Sequence, residues 1–228
     1  VLLRSIHALV GENGAGKSTL MKVLTGIYQA GSCQIIYNGK EIQFKSPKEA
    51  QEAGISIVHQ ELNLMNHLTA AQNIFIGRES KGFILNDSVI NKKAQELFDR
   101  LKLSISPADK VGSLAVGKQQ MVEIAKAISF SSNILILDEP SAALTETEVV
   151  ELFKTMKDLK EKGVTMVYIS HRMEEIMQIT DRITVMRDGE VITTSNTANT
   201  NLDEIIKAMV GRTIYAEPKT HSNVKKEA

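Results

Sequence analysis

Apolar and polar positions along this chain fall into two alternating rhythms. Short, mostly apolar runs stand at Ile6–Val10 (with His7 inside), Ile55–Val58 (with Ser56 inside), 134–137 and 164–170 (with Thr165 inside and Ser170 at its end). Runs of this length read as strands, and the fully apolar 134–137 as one buried in the core. Between them the spacing lengthens to that of a helix. Val89, Ile90, Ala94, Leu97, Phe98 and Leu101 form one stripe, and Val149, Leu152, Phe153, Met156 and Leu159 form another. Further helices are expected over 20–25, from Leu68 onward, through Met121 to Ile128, over 173–179, and over 202–210, where Gly211 stops the last one.

Cap and turn residues punctuate the pattern. Asn38-Gly39 and Asp188-Gly189 predict two hairpins, joining 33–37 to 41–44 and 183–187 to 190–194. Ser46-Pro47-Lys48-Glu49 supplies an N-cap, a first-turn proline and a capping box for a short helix ending at Gly54. Thr145 and Glu148 make a second capping box, opening a helix that runs to Gly163. Residues 63–130 read as mainly helical, with a loop at 82–87, inserted between two strands. The fold class that follows is α/β, with a helical insertion and an antiparallel β portion.

Chemistry enters at the end of the first strand. Gly11-Glu12-Asn13-Gly14-Ala15-Gly16-Lys17-Ser18-Thr19 fits the phosphate-binding loop, and it lies between a strand and a helix as that loop requires. Its glycines let backbone N–H groups curl around an anion, and the helix N-terminus adds its positive end. Lys17 is placed to reach the β- and γ-phosphates and Ser18 to ligate Mg²⁺. Asp138 ends the aliphatic run 134–137, where it can hold Mg²⁺ directly or through water, and Glu139 next to it can accept a proton from an attacking water. Gln60 and His171 also follow apolar strands. Gln60 can orient water or ligate Mg²⁺, and His171 can donate to a γ-phosphate oxygen. His7, His59, His67 and His221 read as structural or exposed.

Composition narrows the class. Lys+Arg and Asp+Glu both number 27 in 228 residues, which argues against nucleic acid as the main partner, and with no Trp a base-stacking platform is not expected. Cys33 is the single cysteine and sits in a turn or at a strand edge, so no intramolecular disulfide can form and a reducing compartment is expected. No apolar run approaches the roughly 20 residues of a membrane helix.

The motifs together resemble the ATPase subunit of ABC transporters over nearly the whole chain. Residues 11–19 match the Walker A motif, Gln60 the Q-loop, 114–120 the signature motif, 134–139 the Walker B motif with its glutamate, 141–145 the D-loop and His171 the switch histidine. Finer stretches, among them His59-Gln60-Glu61-Leu62-Asn63-Leu64, are similar to the monosaccharide-importer branch, of ribose or galactose/methyl galactoside type. The resemblance implies a P-loop NTPase fold, with ATP and Mg²⁺ as cofactors. Glu139, His171, Lys17 and Gln60 are then the catalytic set, and Ser18, Gln60 and Asp138 the metal ligands. The signature residues Leu114, Ala115, Val116, Gly117, Lys118 and Gln119 would complete the ATP site of a second nucleotide-binding domain, in tandem or as a homodimer. Further partners would be transmembrane permease subunits and, indirectly, a sugar-binding protein, at the cytoplasmic face of the cell membrane; no nucleic-acid partner is expected. The chain resembles the N-terminal of two tandem domains, truncated at its start, with 1–216 as the domain, about 63–130 as its helical subdomain and 217–228 as linker or tail. Ala115 stands where the family usually has Ser, and without a hydroxyl it weakens the site it completes. Two other readings stay in play: a regulatory half-site with little hydrolysis, and a soluble ABC ATPase outside transport.

Overall fold

A computed structural model describes residues 3–29, 31, 34–78, 87–130 and 132–211. Cys33, most of the loop expected at 82–87 and the tail 217–228 lie outside the described residues. In chain order the elements are β1 (Ile6–Val10), α1 (Lys17–Leu24), β2 (Ile35–Tyr37), β3 (Lys40–Ile42), α2 (Pro47–Glu52), β4 (Ile55–Val58), α3 (Ala70–Phe75) and α4 (Asp87–Leu101). They continue with α5 (Val116–Ile128), β5 (Ile134–Asp138), α6 (Glu146–Glu161), β6 (Thr165–Ile169), α7 (Met173–Ile179), β7 (Arg182–Arg187), β8 (Glu190–Asn196) and α8 (Leu202–Val210). The main sheet has the order β4-β5-β6-β1-β7-β8, with β2 and β3 forming a separate two-stranded sheet. Strands β4 to β7 run parallel, and β8 returns antiparallel beside β7.

Register explains why one edge of this sheet carries polar residues. Val58 lies opposite Leu137, Asp138 opposite Ile169, and Ile169 opposite Leu9. The four strands therefore end within about one residue of each other. Both faces of the sheet are covered, and alternate residues of one strand enter different cores. Leu135, Leu137, Met166 and Tyr168 face the larger cluster with Phe98, Ile124, Leu152 and Met156. Ile136, Val167 and Ile169 face a smaller one with Leu9, Met21 and Phe44. This is the period of two expected of an extended strand, and it accounts for the mostly apolar runs.

Several expectations are corrected. Val89 does not belong to the α4 stripe: it is 40% exposed, whereas Ala94, Leu97, Phe98 and Leu101 are buried. Five residues before Ala94 corresponds to about 140° away around a 3.6-residue helix, so Val89 faces outward. Asp87, expected in a loop, is the first residue of α4. At α2 the Ser46 hydroxyl accepts from the Glu49 N–H at 3.3 Å, but the Glu49 carboxylate accepts from Lys45 N–H at 2.8 Å, one residue earlier than a capping box requires. The strand expected through Phe44 ends at Ile42, and Phe44 turns inward to the smaller core. Thr69 and Gln72 form a reciprocal capping box at α3.

His7, the second residue of β1, is buried and its Nε2 lies 2.7 Å from Thr184 Oγ1 on β7, while Nδ1 has no hydrogen-bond partner among the described residues. Burial, with a smaller contribution from the nearby positive charge of Arg182, lowers its pKa to about 4. The unfolded chain then binds a proton below about 6.5 that the folded chain refuses until about 4, so folding stability should fall as pH drops through that window, by up to about 3 kcal/mol. Urea unfolding of the wild type and of His7→Gln between pH 7 and 4 checks this: the variant should lose that part of the acid sensitivity.

Candidate nucleotide-binding site

The loop between β1 and α1 owes its shape to backbone that side chains would block. Gly14 and Gly16 have φ of 88° and 97°, the left-handed region that glycine enters freely. Gly16 is the cap residue of α1 and offers no side-chain bond, and the first turn of α1 holds no acid. The opening amides of that helix are thus left for an outside anion. The Lys17 ammonium folds back over the loop, donating to the carbonyls of Gly11 at 2.7 Å and Glu12 at 3.0 Å. Ser18 and Thr19 are exposed beside it.

The hairpin of β7 and β8 presses on this loop. A Cβ at Gly11 would collide with the backbone oxygen of Met186 and would stand 2.9 Å from Ala15 Cβ. Gly189 N–H donates to Ala15 C=O at 3.2 Å. The pairing of β7 with β8 shifts register between Val185 and Met186, beside this contact. Sequence reasoning reads Asp188-Gly189 only as a turn. That the turn buttresses the phosphate loop follows from the pairing of β1 with β7, which no local signal announces.

Asp138 ends β5, half-buried. Burial, and then the neighbouring Glu139 carboxylate, push its pKa up, while His59, Lys17 and Lys22 act in the opposite direction. A carboxylate in that position gains from a cation. Its partners in such a role are oxygen atoms, the Ser18 hydroxyl among the expected ligands, a donor set that suits Mg²⁺. Among the described residues no group of three or more His, Cys, Asp or Glu could cage a metal. Gln60 is exposed two residues beyond β4, on the same edge of the sheet.

Glu139 and His171 meet directly: the histidine Nδ1 lies 3.1 Å from the Glu139 carboxylate, with the imidazole 68% exposed and the carboxylate 21% exposed. Adjacency of β5 and β6 produces this contact. Glu139 holds a φ of 49°, unusual for a residue with a side chain, and its N–H is tied to Ile169 C=O at 2.9 Å. A buried carboxylate that no local signal singles out ties their two loops together. Glu175, on α7, accepts from Ser141 Oγ at 2.6 Å, Tyr168 OH at 2.6 Å and Ser170 Oγ at 3.3 Å. Arg172 approaches its other oxygen at 2.6 Å. The loop after Glu139 and the loop carrying His171 are thereby cross-linked. Burial and the bond to Glu175 also raise the Tyr168 phenol above its usual pKa.

The signature residues lie elsewhere. Ala115 caps α5 without a side-chain bond, and Ala115, Val116 and Lys118 are exposed. Leu114 accepts from the Gln119 amide at 2.9 Å, and the buried Gly117 donates its N–H to Glu148 of α6 at 2.9 Å.

The sheet order, the loop at the end of β1 and the helical insertion define a nucleotide-binding cassette of the P-loop class. The family model described as ABC transporter matches residues 3–142, and the chain belongs to that family. It is 53% identical over 94% of its length to a Burkholderia lata protein provisionally named a ribose/galactose/methyl galactoside import ATP-binding protein, and 51% identical over 91% of its length to the ribose import ATP-binding protein of Bacillus subtilis. The chain spans less than half of those relatives, 43% and 42% of their lengths. Among solved structures it resembles the ADP conformation of an ATP-binding cassette of an ABC transporter, with a TM-score of 0.80 and 27% identity over 92% of this chain and 89% of that one. A nucleotide-free cassette matches with a TM-score of 0.78 and 28% identity, over 93% of this chain and 86% of that one.

Gly11→Ala tests the buttress. Overpacking against Met186 should cost about 1–3 kcal/mol and displace the loop amides, lowering ATP affinity about tenfold or more. Titration with a fluorescent ATP analogue measures it; unchanged affinity would show that Gly11 needs no close approach.

Proposed function

We propose that this chain is the ATP-binding and hydrolysing cassette of an importer for a monosaccharide of the ribose or galactose/methyl galactoside class. The contact of Glu139 with His171, on the sheet edge that also carries the phosphate loop, supports hydrolysis most directly. The names of the relatives support the sugar class.

In this reading the amides of residues 11–16 and the start of α1 cradle the phosphates, and Lys17 leaves the loop carbonyls for the β- and γ-phosphate oxygens. Ser18 and Asp138, with Gln60 or a water it orients, hold Mg²⁺, which offsets phosphate charge when bound. Glu139 takes the proton of the attacking water, and His171, released from Glu139, donates to the γ-phosphate. Positioning and electrostatics then supply most of the rate.

By the family pattern the signature residues 114–119 serve the nucleotide of a second cassette, either a tandem half or another copy. Permease subunits in the membrane and, through them, a sugar-binding protein are the remaining partners. Among the described residues no helix is long and apolar enough to cross a membrane. The relatives' naming as import ATP-binding proteins supports a peripheral place for the cassette at the cytoplasmic face. Ala115, uncapped and without a hydroxyl, favours one variation, in which the site completed by this signature hydrolyses slowly.

Two measurements test the reading. Glu139→Gln should lower Mg²⁺-dependent ATP hydrolysis by about 100-fold or more while ATP binding persists; unchanged turnover would remove Glu139 as the base. Specific activity of the purified chain should rise with protein concentration as two copies pair. Turnover independent of concentration, at a substantial rate, would count against a site shared between two cassettes.

A further inference from the structure

Glu148 ends in two places at once. As the third residue of α6 it closes the capping box, its Oε2 accepting from the N–H and the hydroxyl of Thr145, each at 2.9 Å. Its Oε1 reaches a residue 31 positions earlier, accepting the Gly117 N–H at 2.9 Å. Gly117 is the second residue of α5, so this bond fills one of the amides that every helix start leaves open. The helix has nothing of its own for the purpose: Ala115 carries no hydroxyl, and its first turn holds no acid. The contact is close: a Cβ at 117 would overlap the Glu148 carboxyl group and push that side chain off the helix start. The bonds to Thr145 and, more weakly, to Gly117 hold the carboxyl below the usual range, so it is charged at neutral pH. An internal anion thus stands at the positive end of the signature helix.

The function proposed above gives the same helix start to the γ-phosphate of a second cassette, and the present inference rests on that reading. One amide cannot serve two anions, and the carboxylate repels the phosphate as it arrives. We propose that Glu148 is a positioning residue that stands in for the phosphate while the cassette is alone. It pins the start of α5 to the start of α6, and it releases Gly117 when two cassettes close on ATP. Oε2 stays on Thr145 through the exchange, so α6 keeps its cap.

Glu148→Gln separates this role from simple support. The amide oxygen retains the shape and can still cap α6, but the charge is gone. In a Glu139→Gln background, which retains bound ATP, the ATP concentration for half-maximal pairing should fall about three- to tenfold, read by sedimentation of the purified chain with Mg²⁺-ATP. A merely structural Glu148 would leave that concentration unchanged or raise it, and either result overturns the proposal while the paired-cassette reading stands. Failure of both proteins to pair at millimolar ATP would count against the reading itself and take the proposal with it. Hydrogen exchange in the unaltered chain gives a second measurement that needs no variant to fold. The Gly117 amide should be protected without nucleotide, and rapid exchange there would also overturn the proposal.

Discussion

Parallel pairing of β4, β5, β6, β1 and β7 makes every one of these strands end at the same edge, and the rest of the site depends on that shared direction. A parallel neighbour can be reached only by a crossover, and here each crossover is a helix or an insertion that covers one face of the sheet. The chain must leave the sheet at that edge and turn, so its backbone amides and polar side chains collect there. The phosphate loop, Gln60, Asp138, Glu139 and His171 come from four different turns. Their nearness is a consequence of pairing register rather than of distance along the chain.

Carboxylates hold the turns in place. Glu175 is 4% exposed; one of its oxygens accepts from three hydroxyl groups, and the Arg172 guanidinium lies 2.6 Å from the other. Bound in this way, it fixes the loops of Glu139 and His171 relative to each other. Glu148 does similar work between the helical insertion and the core, but at a half-exposed position where its bonds can exchange. The two differ in burial, and burial decides which is a permanent tie and which can act as a latch.

Much of this was legible in the residues themselves. The phosphate loop, the two hairpin turns, the capping box at α6, the stop at Gly211 and the buried face of α6 all rest on interactions within a few positions, and the structure holds each of them. Less was legible where a local rule had competitors. Val89 suits an apolar stripe by composition but not by angle. Glu49 reaches Lys45 N–H, the neighbour of the amide a capping box would use. Met186, Gly189, Glu175 and Glu148 were invisible as site residues because each acts on a partner brought in by the sheet order.

The sequence by itself determined the local geometry of phosphate binding. Glycines allow left-handed backbone, a strand and a helix flank them, and Lys17 follows, all within nine positions. It also determined which segments are core strands, because a mostly apolar run has few other stable places in water. Only the tertiary structure decided that Glu139 meets His171, that the turn after β7 supports the loop after β1, and that Glu148 occupies the start of α5. Those contacts depend on which strands become neighbours. That choice is made by packing of the whole core and leaves no periodic trace in the residues that make contact.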